Sequence, residues 1–194
     1  MIILASKSGV RKKILDENKI KCKVVPSNVD EDLAKESLLA EGANPEIISK
    51  NLAELKSKKV SKNIPNIMVL GADSVISLEN ELINKPKTRD EALLILNKLN
   101  GKKHFLISSV CICKNGSMIW HHTDKSELKM KKLENFQLKN YLSKIKSETL
   151  FAYGVYQVEA DGLELFEYIK GDKNSIMGLP VTKIKQYLGK FKDE

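Results

Sequence analysis

Apolar and polar residues follow each other along the chain with the spacing of short strands and amphipathic helices. An apolar run at Met1–Ala5 predicts a strand, and Gly9–Asn18 has the spacing of a helix. The clearest helix is predicted at Pro45–Lys62, because Asn44 suits an N-cap and Pro45 suits the first helical position. Apolar residues then recur at helical spacing, so one face of this helix is expected to pack on a core.

The remaining elements are shorter and alternate between the two periodicities. Strands are predicted at Lys21–Val25, Ile67–Leu78, His104–Cys113, Ser117–Thr123, Leu128–Leu133, Tyr153–Val158 and Leu163–Ile169, and helices after Thr88, at Glu134–Lys146 and after Pro180. Strands and helices do not follow a strict βαβ rhythm, and the sequence contains neither Gly-x-Gly-x-x-Gly nor a Walker lysine. The pattern therefore predicts an α/β protein with a mixed, twisted sheet and flanking helices.

One acidic residue interrupts the most apolar predicted strand. Asp73 follows the apolar run Ile67–Leu70 after the small residues Gly71 and Ala72. Burying a carboxylate without a partner costs several kcal/mol, so an aspartate at this position is expected to bind something. The alternative interpretation is a structural aspartate in a turn after a short strand.

Small polar and basic residues follow the first predicted strand. Ser6, Ser8 and Gly9 leave backbone N–H groups open where a helix begins, and Arg11 adds a forked cationic donor. These features suit a phosphate-binding loop, in which Ser6, Ser8 and Arg11 are candidate substrate-binding residues. The same segment also allows a simpler interpretation, in which Ser8 is only the N-cap of an amphipathic helix.

Length and composition set bounds on the class of protein. The 194 residues suffice for a sizeable core, and we expect one domain over residues 1–194. The longest apolar runs are far shorter than a membrane span, and the N-terminus lacks the features of a signal peptide, so a cytoplasmic protein is expected. The three cysteines have the spacing of buried thiols rather than of a metal knuckle or a redox pair.

The net charge of +8 raises the question of nucleic-acid binding. RNA- and DNA-reading surfaces rely on arginine and exposed aromatic residues. Here Arg11 and Arg89 are the only arginines, aromatic residues are sparse, and the lysines are spread over the predicted helix faces. We therefore expect no specific nucleic-acid partner and no membrane partner, and interpret the lysines as a solvated surface that can steer anionic substrates.

Short motifs follow one another in a fixed order along nearly the whole chain. They are Leu4-Ala5-Ser6-Lys7-Ser8 with Arg11, Val29-Asp30-Glu31, Leu52-Ala53-Glu54-Leu55-Lys56, Gly71-Ala72-Asp73-Ser74, Asn84-Lys85-Pro86, Leu99-Asn100-Gly101 with His104, Gly171-Asp172 and Gly178-Leu179-Pro180. This series resembles the motifs of the Maf-like nucleoside triphosphate pyrophosphatases. A single tetrapeptide of this kind is unspecific, whereas the ordered series is specific.

The resemblance implies a sheet with two lobes around a cleft, often in a homodimer, and an enzyme that hydrolyses a nucleoside triphosphate to the monophosphate and diphosphate. It implies that Asp73 is the proton acceptor and that Glu31, Lys56 and Lys85 complete the catalytic set. Glu31 and Asp73 are then the expected ligands of a divalent cation, Mg2+ or Mn2+. A non-catalytic, nucleotide-binding regulator of septum formation and cell division is the alternative, although the presence of both carboxylates favours catalysis.

The chain departs from the family's motifs at positions that bear on base preference. Ser8-Gly9-Val10-Arg11 stands where many members have Ser-Pro-Arg-Arg, and Glu159 stands where many have a glutamine. The resemblance makes Glu159 a further expected substrate-binding residue. The sequence at 71–74 favours a dTTP/UTP preference, whereas the missing arginine and Glu159 favour 7-methyl-GTP. The base preference stays open between the two.

Overall fold

Seven strands form one mixed sheet. In the computed structural model, which describes residues 1–158 and 161–191, the strands are β1 (Ile2–Leu4), β2 (Cys22–Val24), β3 (Val69–Leu78), β4 (Glu81–Ile83), β5 (Lys103–Lys114), β6 (Ser117–Met130) and β7 (Phe166–Lys170). Their order is β2-β1-β3-β5-β6-β7, with β4 also paired to β3. Strand β1 is parallel to β2 and β3, and the other pairs are antiparallel.

The helices flank this sheet. They are α1 (Gly9–Glu17), α2 (Glu31–Ala40), α3 (Pro45–Ser61), α4 (Arg89–Leu99), α5 (Asn135–Lys144), α6 (Ser147–Tyr153), α7 (Lys173–Ile176) and α8 (Val181–Gly189). The side chains of Ser8, Asn44 and Thr88 cap α1, α3 and α4 by accepting hydrogen bonds from backbone N–H groups, as their positions in the sequence predict. Among the described residues, none of the helices combines the length and the hydropathy that a membrane crossing needs.

Strand β3 has two different neighbours along one edge, and they leave a gap between them. Near its start β3 pairs with β1 at Val69 and Leu70, and near its end it pairs with β4 at Ile76–Leu78. On the other edge it pairs continuously with β5 from Val69 to Ser77. Within the described residues no strand pairs with positions 71–75 on the first edge, and a cleft opens there.

Two apolar clusters lie on either side of this cleft. The first joins β1 and the start of β3 to α1 and α8, with Leu4, Leu70 and Ile184 at its centre. The second joins the end of β3 to α4, α5 and α6, with Leu96 and Leu142 among its buried residues. The mixed α/β sheet with two lobes around a cleft, which the sequence predicted, is thereby confirmed.

Several predictions of local structure were wrong or incomplete. The expected strands Ser117–Thr123 and Leu128–Leu133 belong to one strand, β6, which ends at Met130. The expected strand Tyr153–Val158 is absent: Tyr153 ends α6, because Gly154 takes a positive φ of 100° and stops the helix. The expected strand Leu163–Ile169 starts later, since residues 161–165 form a 3-10 turn before β7. Helix α2 was not predicted, although Asp30 caps it through Leu33 and two acidic residues occupy its first turn.

Gly71 lets helix α3 pack unusually close to β3. A Cβ atom at this position would lie 2.1 Å from the carbonyl oxygen of Ala53 and 2.8 Å from the backbone nitrogen of Ser57. These are backbone atoms of a helix, so they cannot move aside as the end of a side chain can. The absence of a side chain at Gly71 therefore sets the distance between α3 and β3.

We expect Gly71→Ala to destabilise the protein by about 1–3 kcal/mol, the usual cost of overpacking a tight core. The matched control is Gly189→Ala in α8, where a Cβ atom would meet no atom within 4 Å. Urea unfolding of both variants measures the difference. Equal stability of Gly71→Ala and the wild type would contradict the close packing described above.

Candidate active site

The cleft in the gap of the sheet encloses a cavity of about 400 Å³. Its lining includes every described residue that the sequence singled out for the site: Ser6, Ser8, Arg11, Glu31, Lys56, Asp73 and Lys85. These residues come from the β1–α1 loop, α2, α3, β3 and the segment after β4, so they are brought together only by the fold. Glu159, the remaining expected substrate-binding residue, lies outside the described residues.

A buried lysine joins the two central carboxylates. Lys56 lies on the inward stripe of α3, four residues after the buried Leu52, and its side chain is only 7% exposed. Its Nζ atom is 2.8 Å from Oδ1 of Asp73 and 3.0 Å from Oε1 of Glu31. This arrangement depends on the close approach of α3 to β3 at Gly71, and the hydroxyl of Ser49 on the same helix also donates to the backbone oxygen of Asp73, at 3.2 Å.

One carboxylate oxygen of Asp73 has no hydrogen-bond partner among the described residues. Its Oδ1 atom accepts from Lys56, while its Oδ2 atom is buried and has no hydrogen-bond partner among the described residues. Buried polar atoms in proteins are almost always paired, so an unpaired carboxylate oxygen at a cavity wall marks a place for a ligand, a water molecule or a cation. The interpretation of Asp73 as a turn residue is wrong, because it lies in the middle of β3.

Glu31 is the more exposed of the two carboxylates. It is the first residue of α2, next to the cap residue Asp30, and its side chain is 39% exposed. Burial alone would raise its pKa, but the ion pair with Lys56 and the more distant charges of Lys85 and Lys35 outweigh burial, so the pKa of Glu31 is lowered. Glu31 is therefore ionised in the folded protein at neutral pH.

The predicted phosphate loop is also a structural hub. Four of the five N–H donors of Arg11 reach protein oxygens. Nε donates to the backbone oxygen of Gly178 at 2.9 Å. Nη1 donates to the backbone oxygen of Ala72 and to the Ser6 hydroxyl, and Nη2 donates to the Ser74 hydroxyl. Arg11 thus ties the loop to β3 and to the turn after α7. The hydroxyls of Ser6 and Ser8 accept from backbone N–H groups, which leaves their own hydrogens available to an anion.

Lys85 closes the cleft on the side of α6. Its Nζ atom donates to the backbone oxygen of Ala152 at 2.7 Å. The residue as a whole is exposed to solvent at the mouth of the cleft, whereas protein surrounds much of its ammonium group. This partial burial lowers the pKa of Lys85, and the charges of Glu31 and Asp73 only partly oppose the shift.

The wall beyond Lys85 is held by two contacts outside the cleft. Arg89 donates to the backbone oxygens of Leu142 and Ile145 and to the hydroxyl of Ser147, which fixes the turn between α5 and α6. Behind the wall, the Nε2 atom of His104 lies 2.9 Å from the hydroxyl of Tyr156, a residue of the cavity lining. Burial lowers the pKa of His104 to about 4, so this imidazole is neutral at physiological pH.

Part of the lining was not predicted from the sequence. One missed group is apolar and lies toward the second apolar cluster: Ile76, Leu82, Ile83, Ile95, Leu106 and Val155. A second is the cationic Lys35, whose position in the cleft follows from α2, the helix that was not predicted. The first-turn acids after Asp30 could have revealed that helix, whereas nothing in the local sequence shows that the apolar residues share a wall.

The two carboxylates of Asp73 and Glu31 can supply some, but not all, of the ligands that a divalent cation needs. Lys56 carries one positive charge against two negative charges, and both Oδ2 of Asp73 and the second oxygen of Glu31 remain without a protein partner among the described residues. Within those residues no group of three His, Cys, Asp or Glu side chains could hold a metal. Mg2+ binds through one or two carboxylates together with phosphate oxygens and water, which is the donor set available here.

The lowered pKa of Glu31 predicts a pH-dependent contribution to stability. Because the folded-state pKa lies below the ordinary value of 4.5, this contribution is present above about pH 4.5 and is lost as the pH falls through the folded value. We expect Glu31→Gln to lower the free energy of unfolding near neutral pH and to converge with the wild type in acid. Glu36→Gln, at an exposed position of α2, is the control and is expected to match the wild type throughout. A pH-independent difference for Glu31→Gln, measured by urea unfolding, would contradict the ion pair.

The chain is similar to known proteins over nearly its whole length. The family model described as Maf-like protein matches residues 1–191. A nucleoside triphosphate pyrophosphatase of Pelagibacter ubique (strain HTCC1062) is 62% identical over 187 residues, which cover 96% of each chain. A protein of the same name from Ruegeria sp. (strain TM1040) is 37% identical and covers 97% of this chain and 94% of its own. A 7-methyl-GTP pyrophosphatase of Brucella abortus biovar 1 (strain 9-941) is 34% identical, and the match covers 94% of this chain and 92% of that protein. The chain belongs to the Maf-like family.

Proposed function

We propose that this protein hydrolyses a nucleoside triphosphate to the nucleoside monophosphate and diphosphate. The observation that carries the proposal is the unpaired Oδ2 atom of Asp73, a buried carboxylate oxygen held at the cavity by Lys56. A purely regulatory nucleotide-binding protein has no need of a proton acceptor at this point. The names of the relatives, all nucleotide pyrophosphatases, support the same activity.

The proposed step is the attack of water on the α-phosphorus. Asp73 accepts a proton from the water at Oδ2, a P–O bond forms, and the bond from the α-phosphorus to the bridging oxygen of the β-phosphate breaks, so that diphosphate leaves with the bonding electrons. Lys56 holds the Asp73 carboxylate in position through its contact with Oδ1. Lys85 and the remaining donor of Arg11, together with the hydroxyls of Ser6 and Ser8, are proposed to contact phosphate oxygens.

A divalent cation, Mg2+ or Mn2+, is part of the proposal. Glu31 and Asp73 would hold it together with phosphate oxygens, and its charge would offset the charge that builds up on those oxygens. The homodimer and the single domain over residues 1–194 that the sequence suggested stay predictions.

The nucleobase is proposed to lie at the apolar end of the cleft. Ile76, Leu106 and Ile95 offer a surface of the kind that a planar base covers, while the cations and hydroxyls lie toward the other end. The preference for dTTP/UTP or for 7-methyl-GTP stays open, as does the contribution proposed for Glu159.

The products of the reaction test the proposal directly. We expect the purified protein, with Mg2+ or Mn2+, to release diphosphate and a monophosphate from dTTP, UTP or 7-methyl-GTP, as resolved by ion-exchange chromatography. Orthophosphate and a nucleoside diphosphate as products would contradict the proposed position of cleavage.

Asp73→Asn tests the proton acceptor. The amide keeps the shape of the side chain but cannot accept the proton, so turnover is expected to fall about a hundredfold or more. Lys56 retains its ion pair with Glu31 in this variant, and circular dichroism is expected to show a folded protein. Asp32→Asn, at an exposed position of α2 outside the cavity lining, is the matched control and should keep full activity. An Asp73→Asn protein with wild-type turnover would refute the assignment.

A further inference from the structure

We propose that Lys35 binds the diphosphate part of the substrate, the β- and γ-phosphates that leave as the product. This inference rests on the proposed function and assigns a substrate-binding role to a residue that the sequence motifs did not point to. Three observations support it: the cations singled out from the sequence already contact protein groups, Lys35 lies on α2 beside the cavity, and its charge acts on Glu31 and Lys85.

The cations named by the sequence are largely occupied by protein groups. Lys56 lies between two carboxylates, and Lys85 donates to the backbone oxygen of Ala152. Arg11 donates hydrogen bonds to protein oxygens from four of its five N–H groups. A triphosphate carries several negative charges that these groups can only partly neutralise. The proposed divalent cation would share its charge with Glu31 and Asp73, so a further cation that is free to turn toward the substrate would still strengthen phosphate binding.

Lys35 is a cation of this kind. It lines the cavity, it is partly buried, and its ammonium group has no hydrogen bond or salt bridge within the described part of the chain. It follows Glu31 by four residues on α2, so both side chains lie on one face of the helix, about 6 Å apart along its axis. Glu31 contacts Lys56, so Lys35 lies one turn along α2 from the residue that contacts the buried Lys56.

The charge of Lys35 reaches the centre of the cleft. It contributes to the lowered pKa of Glu31, and it also helps to lower the pKa of Lys85, which shows that the two ammonium groups repel each other across the cavity. Both charges act on Glu31, which is already paired with Lys56, so a further anion that enters between Lys35 and Lys85 would reduce the remaining repulsion. A phosphate group would be such an anion.

The geometry also fixes which phosphates Lys35 can contact. The α-phosphate has to lie at Asp73, the buried proton acceptor, if the proposed cleavage takes place. Lys35 is less buried than Asp73 and lies one turn of α2 beyond Glu31, so we expect the phosphates beyond the α-phosphate to extend toward it. The other unpaired lysine of the lining, Lys7, is exposed on the opposite β1–α1 loop and does not appear among the charges that act on Glu31 or Lys85.

Binding of inorganic pyrophosphate tests this inference without any catalysis. Isothermal titration calorimetry with Mg2+ present is expected to show about tenfold weaker pyrophosphate binding for Lys35→Ala, the scale of one charge-assisted hydrogen bond. Binding of UMP or 7-methyl-GMP, whichever the wild type binds, is expected to be unchanged, because a monophosphate does not reach Lys35. Lys139→Ala, which removes the same charge at an exposed position of α5, is the matched control and should bind pyrophosphate as the wild type does.

The outcomes separate this inference from the proposed function. Wild-type pyrophosphate affinity in Lys35→Ala would overturn the role of Lys35, as would an equal loss in Lys139→Ala or an equal loss of monophosphate binding. A protein that cleaves no nucleoside triphosphate but loses pyrophosphate affinity only in Lys35→Ala would refute the proposed hydrolysis and still support an anion site at Lys35.

Discussion

A buried ammonium group between two carboxylates is the interaction on which the rest of this structure depends. The ion pairs with Asp73 and Glu31 offset the cost of burying the Lys56 ammonium group, and the two carboxylates would repel each other without Lys56. The three groups together keep one net negative charge and an unpaired oxygen at the cavity wall. The same contacts that hold α2, α3 and β3 together thus form the site at which we propose a cation and a proton acceptor.

The sheet provides the space for this chemistry. Strand β3 is paired continuously from Val69 to Ser77 on one edge, but on the other edge β1 and β4 occupy only its two ends. The interruption opens a cleft at Asp73 without loss of the continuous pairing that stabilises the strand. Both arginines of the chain serve this architecture, since Arg11 and Arg89 each tie separate segments that form the walls, whereas lysines supply the free charge.

Much of this could be predicted from the sequence, and the failures have physical causes. Periodicity and caps located the long helix Pro45–Ser61, and an aspartate among apolar residues marked Asp73. The segment after Tyr153 was misjudged because its alternating apolar residues pack on a core from an irregular backbone once Gly154 has ended the helix. Lys35 was missed because a single lysine on a short helix carries no local signal, and its role depends on groups distant in sequence.

The most direct test of the central claim is a double-mutant cycle between Lys56→Met and Asp73→Asn, measured by urea unfolding at neutral pH. Lys56→Met alone leaves Asp73 and Glu31 without their cation, so we expect a loss of about 3–5 kcal/mol. In the double variant the neutral amide no longer needs a counter-charge, so the loss is expected to be clearly smaller than the sum of the two single losses. Losses that add within about 0.5 kcal/mol would contradict the buried ion pair and, with it, the position of the proton acceptor.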